Sequence, residues 1–172
     1  SGYFMIHVVS SLMMILLSSK SLMRKANEFA ALISLTMRIY LSSWLPSSWR
    51  TVTIEDITCL VSRGIAPKYD DDSDQIILNQ KCIRNHTIDF IPSRRHIPKA
   101  VTEKWLVQGD LLINSTGQGT LGRVAQVWFE PKNMTVDSHI TIVRPKSALL
   151  RNYIGFWGIT HEAEIEALHT GS

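Results

Sequence analysis

At 172 residues, 45% apolar, 19% charged and with a formal net charge of +3, the chain has the size and composition of one globular domain with a core of its own, plus a helical appendage. That balance excludes a disordered chain. A small positive charge is compatible with nucleic acid without defining a partner.

The first stretch, residues 3–17 (YFMIHVVSSLMMILL), is apolar and uncharged. It falls short of the roughly 20 residues that a spanning helix needs. It also lacks the basic start and small-residue cleavage site of a secretory signal. The expected reading is a buried or partner-facing helix, with a short membrane-associated segment as the minority alternative. Residues 21–41 carry a clearer stripe, Leu22, Ala26, Phe29, Ile33, Thr36 and Tyr40, in alternating steps of four and three. Arg24, Asn27, Glu28, Ser34 and Arg38 lie off it, so the segment predicts an amphipathic helix. Whether its apolar face meets its own domain or another helix is left open by the pattern.

Leu45-Pro-Ser-Ser-Trp49 breaks the helix and marks a domain boundary, dividing an apolar helical extension at 1–44 from a domain at 45–172. Residues 49–54 alternate as a strand, and Glu55-Asp56-Ile57 opens a short helix or turn running to residues 59–61. Residues 64–73 form a loop. Its acids, Asp70, Asp71, Asp72 and Asp74, lack the spacing of a calcium loop or a two-metal site and are expected to be a solvated acidic turn. Cys59 and Cys82 are too few for a disulfide framework and are expected to be buried, apolar-type residues in a reducing compartment. Cys82 and His86, four apart, lack the second pair of ligands that a zinc site requires.

Residues 75–83 (QIILNQKCI) predict one strand, followed by a turn at Arg84-Asn85-His86 and residues 88–90. Arg84, Arg94, Arg95, His96, Lys99 and Lys104 concentrate positive charge. On composition this is a solvated face; interleaved with Asn79, Gln80, Asn85 and His86, it is also suited to tracking phosphates while amides read bases.

Residues 105–128 organise the rest. Two β-rich runs, 107–113 and 123–129, flank the loop Asn114-Ser115-Thr116-Gly117-Gln118-Gly119-Thr120-Leu121-Gly122. Its glycines permit positive φ and close approach of the backbone, while its amides and hydroxyls offer donors and acceptors without charge. Gly117 to Gly122 is formally G-x-G-x-x-G, with Asp137 twenty positions after Gly117. A dinucleotide site needs a helix to begin in that loop, and a strand follows here instead. With Val124 the pattern matches a kinase glycine loop, yet no V-A-I-K, H-R-D or D-F-G accompanies it. A glycine-bearing hairpin loop is the better account of the pattern, and a small nucleotide-dependent enzyme rests on it alone.

After a turn at residues 130–133, residues 139–143 predict a strand ended by Arg144-Pro145. Residues 147–157 predict a helix, with Gly155 and Gly158 marking its end. Thr160 is expected to cap a second helix with Glu162 and Glu164 in its first turn and Ile165 and Leu168 on its apolar face. The fold class is therefore α+β, a mostly antiparallel β domain from about residue 45 to 145 with helices at both ends. No catalytic constellation appears, and a binding module follows by elimination.

The ordered blocks LPSSW, GIAPKY, IILNQKCIRN, WLVQGDLLINSTGQGTLGRVAQV, VDSHITIVRP, YIGFW and EIEALHTGS, spanning residues 45–172, resemble a target-recognition domain of the specificity subunit of type I restriction-modification enzymes. The resemblance implies a non-catalytic, cytoplasmic chain that reads half of a split target in double-stranded DNA. It implies partners too: methyltransferase subunits that use S-adenosylmethionine to methylate adenine, and restriction subunits. No cofactor is expected on this chain. Carried over, Asn114, Ser115, Thr116, Gly117, Gln118, Gly119 and Thr120 form a DNA-facing loop, with Arg123, Lys81, Arg84, Lys68 and Tyr69 contacting phosphates or bases. One recognition domain in place of two leaves a fragment, or a half-subunit that pairs with a copy of itself, as the expected arrangements. A helix-mediated interaction or membrane-associated module, motivated by residues 1–41, is the alternative from another class.

Overall fold

The computed structural model describes residues 52–97 and 101–167. The apolar segments at 1–44, and Leu168, lie outside the described residues. The described part falls into two units, residues 52–57 and residues from 58 onward.

In the first unit a single helical turn, α1 (Ile54–Ile57), stands where Glu55-Asp56-Ile57 predicts a short helix or turn, but it ends at Ile57 and residues 59–61 belong to a strand; residues 49–51 of the strand expected at 49–54 lie outside the described residues. Thr53 explains the turn. Its N–H and hydroxyl both donate to Asp56 Oδ2, at 2.8 and 2.9 Å, and its Oγ1 accepts from Asp56 N at 3.2 Å, a reciprocal cap that starts a helix.

The second unit is built on two sheets and a small ribbon. A four-stranded antiparallel sheet runs in the order β1 (Thr58–Arg63), β9 (Ile140–Pro145), β6 (Leu111–Asn114) and β7 (Val124–Gln126). A three-stranded sheet has β2 (Gln75–Leu78) at its centre, antiparallel to β5 (Arg94–His96) and parallel to β8 (Met134–Val136). β3 (Ile83–Arg84) and β4 (Thr87–Ile88) make a two-stranded ribbon. With helices α2 (Ala148–Thr160) and α3 (Glu162–Ala167) the class is α+β, with mostly antiparallel strands.

The core lies between the sheets. Leu78, Cys82, Ile83, Leu106, Leu112, Ala125, Val127, Val136, Ile140 and Ile142 form it. β6 is buried on both faces, because α2 covers the side away from that core and packs on β6, β7 and β9. Double coverage is why this strand reads as a continuous apolar run, Leu111-Leu112-Ile113, without alternation.

Several elements differ from the sequence expectation. The predicted strand at 75–83 stops at Leu78. Asn79 Oδ1 accepts from Lys81 N at 2.9 Å and Asn79 O from Cys82 N at 2.9 Å, which winds Gln80–Cys82 into a 3-10 turn before β3 begins. The following turn is confirmed: Asn85 and His86 both take positive φ, 49° and 60°, as a two-residue hairpin of the right twist demands. β5 and β8 are each three residues long, too short for periodicity to register.

Gly155 and Gly158 do not end α2. The helix runs through both to Thr160, because each glycine lets the sheet approach: a Cβ at Gly155 would lie 1.7 Å from Gln126 Oε1, and one at Gly158 would lie 2.7 Å from a Leu111 methyl. Thr160 does not cap α3 either. Its hydroxyl donates back to Phe156 O and Trp157 O, both at 3.0 Å, inside α2. Cys82 is buried as expected, but Cys59 is exposed, since β1 is an edge strand of its sheet. Among the described residues no helix is long and apolar enough to cross a membrane.

Candidate functional site

The loop between β6 and β7 is closed at its base by the strands themselves. Asn114 N donates to Arg123 O and Gly122 N to Asn114 O, each at 2.9 Å. The fully buried Asn114 side chain fills the space beneath: its Nδ2 donates to Thr120 O at 3.0 Å and, across to the 3-10 turn, to Gln80 O at 2.9 Å. Further up, Gly117 O accepts from Thr120 N and Leu121 N at 3.2 and 3.0 Å, forming the turn that carries the tip. Gly117, Gly119 and Gly122 all have positive φ (109°, 74° and 83°), so this path is open to glycine at little strain.

The loop is held from three sides. A Cβ on Gly117 would fall 2.0 Å from Gln80 Oε1, so the 3-10 turn lies directly against it. A Cβ on Gly122 would meet the Glu166 backbone at 2.6 Å, so α3 closes the opposite flank. Glu162, at the start of α3, accepts from Val124 N at 2.8 Å and lies 3.2 Å from His86 Nδ1, tying helix, strand and the β3–β4 ribbon together. On the third side Ser115 N donates to His139 O at 2.9 Å, the Ser115 and Thr141 hydroxyls share a hydrogen bond, and Thr116 Oγ1 meets His139 Nδ1 at 2.6 Å.

The predicted residues therefore divide. Asn114 and Ser115 are buried, and their side chains hold the loop in shape. Gln118 and Gly119 are exposed at the tip, with Thr116, Gly117 and Thr120 half-buried around it. Arg123 sits below, its guanidinium donating to Gly119 O at 2.8 Å, which brings a fixed cation under the tip. Lys81 and Arg84 are exposed on the 3-10 turn and the ribbon that flank the loop. Lys68 and Tyr69 are carried by a different support, the edge of β5: Lys68 O accepts from Ile97 N at 2.9 Å, and Tyr69 bridges to His96. Arg94 lies over the Tyr69 ring, 4.1 Å from its centroid. The cluster Asp70–Asp74 is a local turn in which Asp70 Oδ1 accepts from Asp72 N, and Asp74 accepts from Asn133.

Gln80, His86, His139 and Glu162 complete the surroundings of the loop; Gln80 and His86 stand among the side chains interleaved with the basic run, whereas spacing gives no sign that His139 and Glu162 join them. His139 follows Thr116 by 23 positions and reaches it only through the β8–β9 turn. That turn is set by Asp137, whose Oδ1 accepts from His139 N at 2.9 Å. Burial pushes the Asp137 carboxyl above its ordinary range, and the His139 N–H and imidazole oppose that push. Among the described residues no group of His, Cys, Asp and Glu could hold a metal ion. What the rim offers is neutral donors and acceptors beside the anchored Arg123 and the exposed Lys81 and Arg84, which suits recognition of polar edges on an anionic partner.

By class, this is an α+β domain that presents a braced, polar glycine loop. No family model and no curated protein matches the chain. Among solved structures, it is similar to the crystal structure of the HsdS subunit from Thermoanaerobacter tengcongensis, with a TM-score of 0.55 and 17% identity over 86% of this chain. The match covers 40% of that chain, so the present one spans well under half its length.

Proposed function

We propose that residues 45–172 form a non-catalytic target-recognition domain that reads one half of a split sequence in double-stranded DNA. It would act as part of the specificity subunit of a cytoplasmic type I restriction-modification complex. The observation that carries this reading is the β6–β7 loop: neutral amide and hydroxyl groups at a glycine-shaped tip, with Arg123 fixed beneath and Lys81 and Arg84 beside it. Amides and hydroxyls are suited to base edges in the major groove, and the cations to phosphates that set register. The likeness in fold to an HsdS subunit supports the same reading, as does the order of the sequence blocks over residues 45–172.

In this reading S-adenosylmethionine is bound by the partner methyltransferase subunits, which methylate adenine, while restriction subunits cut. This chain supplies the address. Gln118, Thr116 and Thr120 are the proposed base-reading groups; Arg123, Lys81, Arg84 and Lys68 are the proposed phosphate contacts, with Tyr69 beside them. Asn114 and Ser115 serve by shaping the loop.

The test is duplex DNA binding from about 50 to 200 mM salt, with and without a cognate methyltransferase subunit, using a randomised target pool and sequencing what is retained. A short enriched motif, strengthened by the partner, is the expected result. Retention that depends on salt alone and enriches no motif would reduce the chain to a basic surface. No retention in any condition would overturn the reading.

A further inference from the structure

His139 is no part of the sequence resemblance's carried-over site and stands on another connection, the turn between β8 and β9, yet three contacts fix it to the candidate loop and its own turn. Its N–H is taken by Asp137 Oδ1 at 2.9 Å, its carbonyl by Ser115 N at 2.9 Å, and its ring Nδ1 by Thr116 Oγ1 at 2.6 Å. The residue is nevertheless exposed. An exposed ring held in one orientation is unusual for a surface histidine, since each fixed torsion costs side-chain entropy. With Nδ1 occupied by Thr116, Nε2 is the ring atom left to meet a partner. The hydroxyl of Thr116 accepts from Nδ1–H as readily as it donates to a bare Nδ1, so the pair survives protonation of the ring.

We propose that His139 is a DNA-contacting residue of this interface, donating from Nε2 to a backbone phosphate in its imidazolium form. The inference rests on the DNA-recognition reading and adds a regulation to it: binding tightens as pH falls. Histidine is the side chain whose charge changes between about pH 5 and 8. The charged group that faces it from its own turn is the Asp137 carboxylate; from the β6–β7 loop it meets the uncharged Thr116. A phosphate oxygen adds a second negative neighbour and draws the proton more firmly onto the ring. Proton uptake is therefore linked to binding.

The test compares the wild-type chain with His139→Gln on the motif enriched above, or on random-sequence duplex if no motif emerges, at pH 8.0, 7.0 and 6.0. For the wild type, affinity should rise on the order of tenfold from pH 8 to 6, as it would if the phosphate made the ring bind its proton about tenfold more tightly. The log–log salt slope should steepen by about one across the same range. In His139→Gln both changes should shrink to what the remaining histidines supply. His86, placed against Glu162, and His161, against α2, are present in both proteins, so the difference between the two curves isolates His139. A second readout is the NMR titration of the His139 ring, whose midpoint should move upward when duplex is bound. Equal pH profiles in the two proteins, or a midpoint that DNA leaves in place, overturn the role of His139 while the DNA reading stands. No binding by the wild type at any pH overturns both.

Discussion

Asp110 is fully buried, and both of its carboxylate oxygens are taken by Arg144: Oδ1 by Nε and Oδ2 by Nη2, each at 2.8 Å. The pair joins the start of β6 to the end of β9, at the end of β6 opposite the loop. Arg144 directs its remaining donors to Glu103 O and Trp105 O, at 2.9 and 2.6 Å, and Asp110 Oδ2 also accepts from Val107 N. Its bond to the Asp110 carboxylate raises the guanidinium pKa above the ordinary arginine value. A raised pKa on a cation means stability that is present below the unfolded value and lost only as pH rises through the folded one, so the pair holds throughout the working range.

Removing one partner should therefore be far worse than removing both. Arg144→Met leaves a buried carboxylate without its cation and should cost about 3–5 kcal/mol. Asp110→Asn combined with Arg144→Met should recover a large part of that loss. Urea unfolding of the two variants checks it, and equal losses in the single and double variants would show that the charges do not depend on each other.

Gly155→Ala should destabilise the protein although alanine favours a helix by about 1 kcal/mol over glycine. The new methyl would lie 1.7 Å from Gln126 Oε1, and Gln126 cannot swing away because its Nε2 donates to both Gly109 O and Arg151 O. An overpacking cost of about 1–3 kcal/mol is expected, read as a fall in the urea midpoint. A gain in stability would mean that α2 moves freely on the sheet.

Within the loop, Gly117 and Gly119 separate space from conformation. At Gly119 nothing lies within 4 Å of an added Cβ, so Gly119→Ala meets only the strain of φ 74°, roughly 1–2 kcal/mol. At Gly117 the same change also collides with Gln80 and Thr120. Gly117→Ala should weaken DNA binding more than Gly119→Ala while far-UV circular dichroism stays unchanged in both. Equal effects would place the loop's importance at its tip alone.

The two cysteines should react very differently. Burial pushes the Cys82 thiol up to about 11, whereas Cys59 is exposed on the edge strand. At pH 8 a thiol reagent should label one cysteine of the native protein quickly and the second only on unfolding. The sign for stability follows: Cys82 ionises more readily unfolded than folded, so its contribution is full below pH 9 and is lost as pH rises toward 11. Two equally fast labelling phases would contradict the packed environment of Cys82.

The amino-acid sequence by itself determined the local grammar of this protein. Asn85-His86 specified a tight hairpin turn, Gly117, Gly119 and Gly122 a loop with positive φ, and Leu111–Ile113 a strand, because turn chemistry and apolar runs act over a few neighbouring residues. From these the α+β class and the position of the candidate loop were legible. Only the tertiary structure decided which residues surround that loop. Gln80, Glu162, Glu166 and His139 come from separate parts of the chain, and sheet order sets their meeting, which no spacing along the chain encodes. The same physics carried α2 through Gly155 and Gly158, where a glycine that would end an isolated helix is needed for the sheet to approach, and sorted Asn114 and Ser115 from the rim into the support. Burial is a property of the assembled fold, and at these positions it overrode propensity.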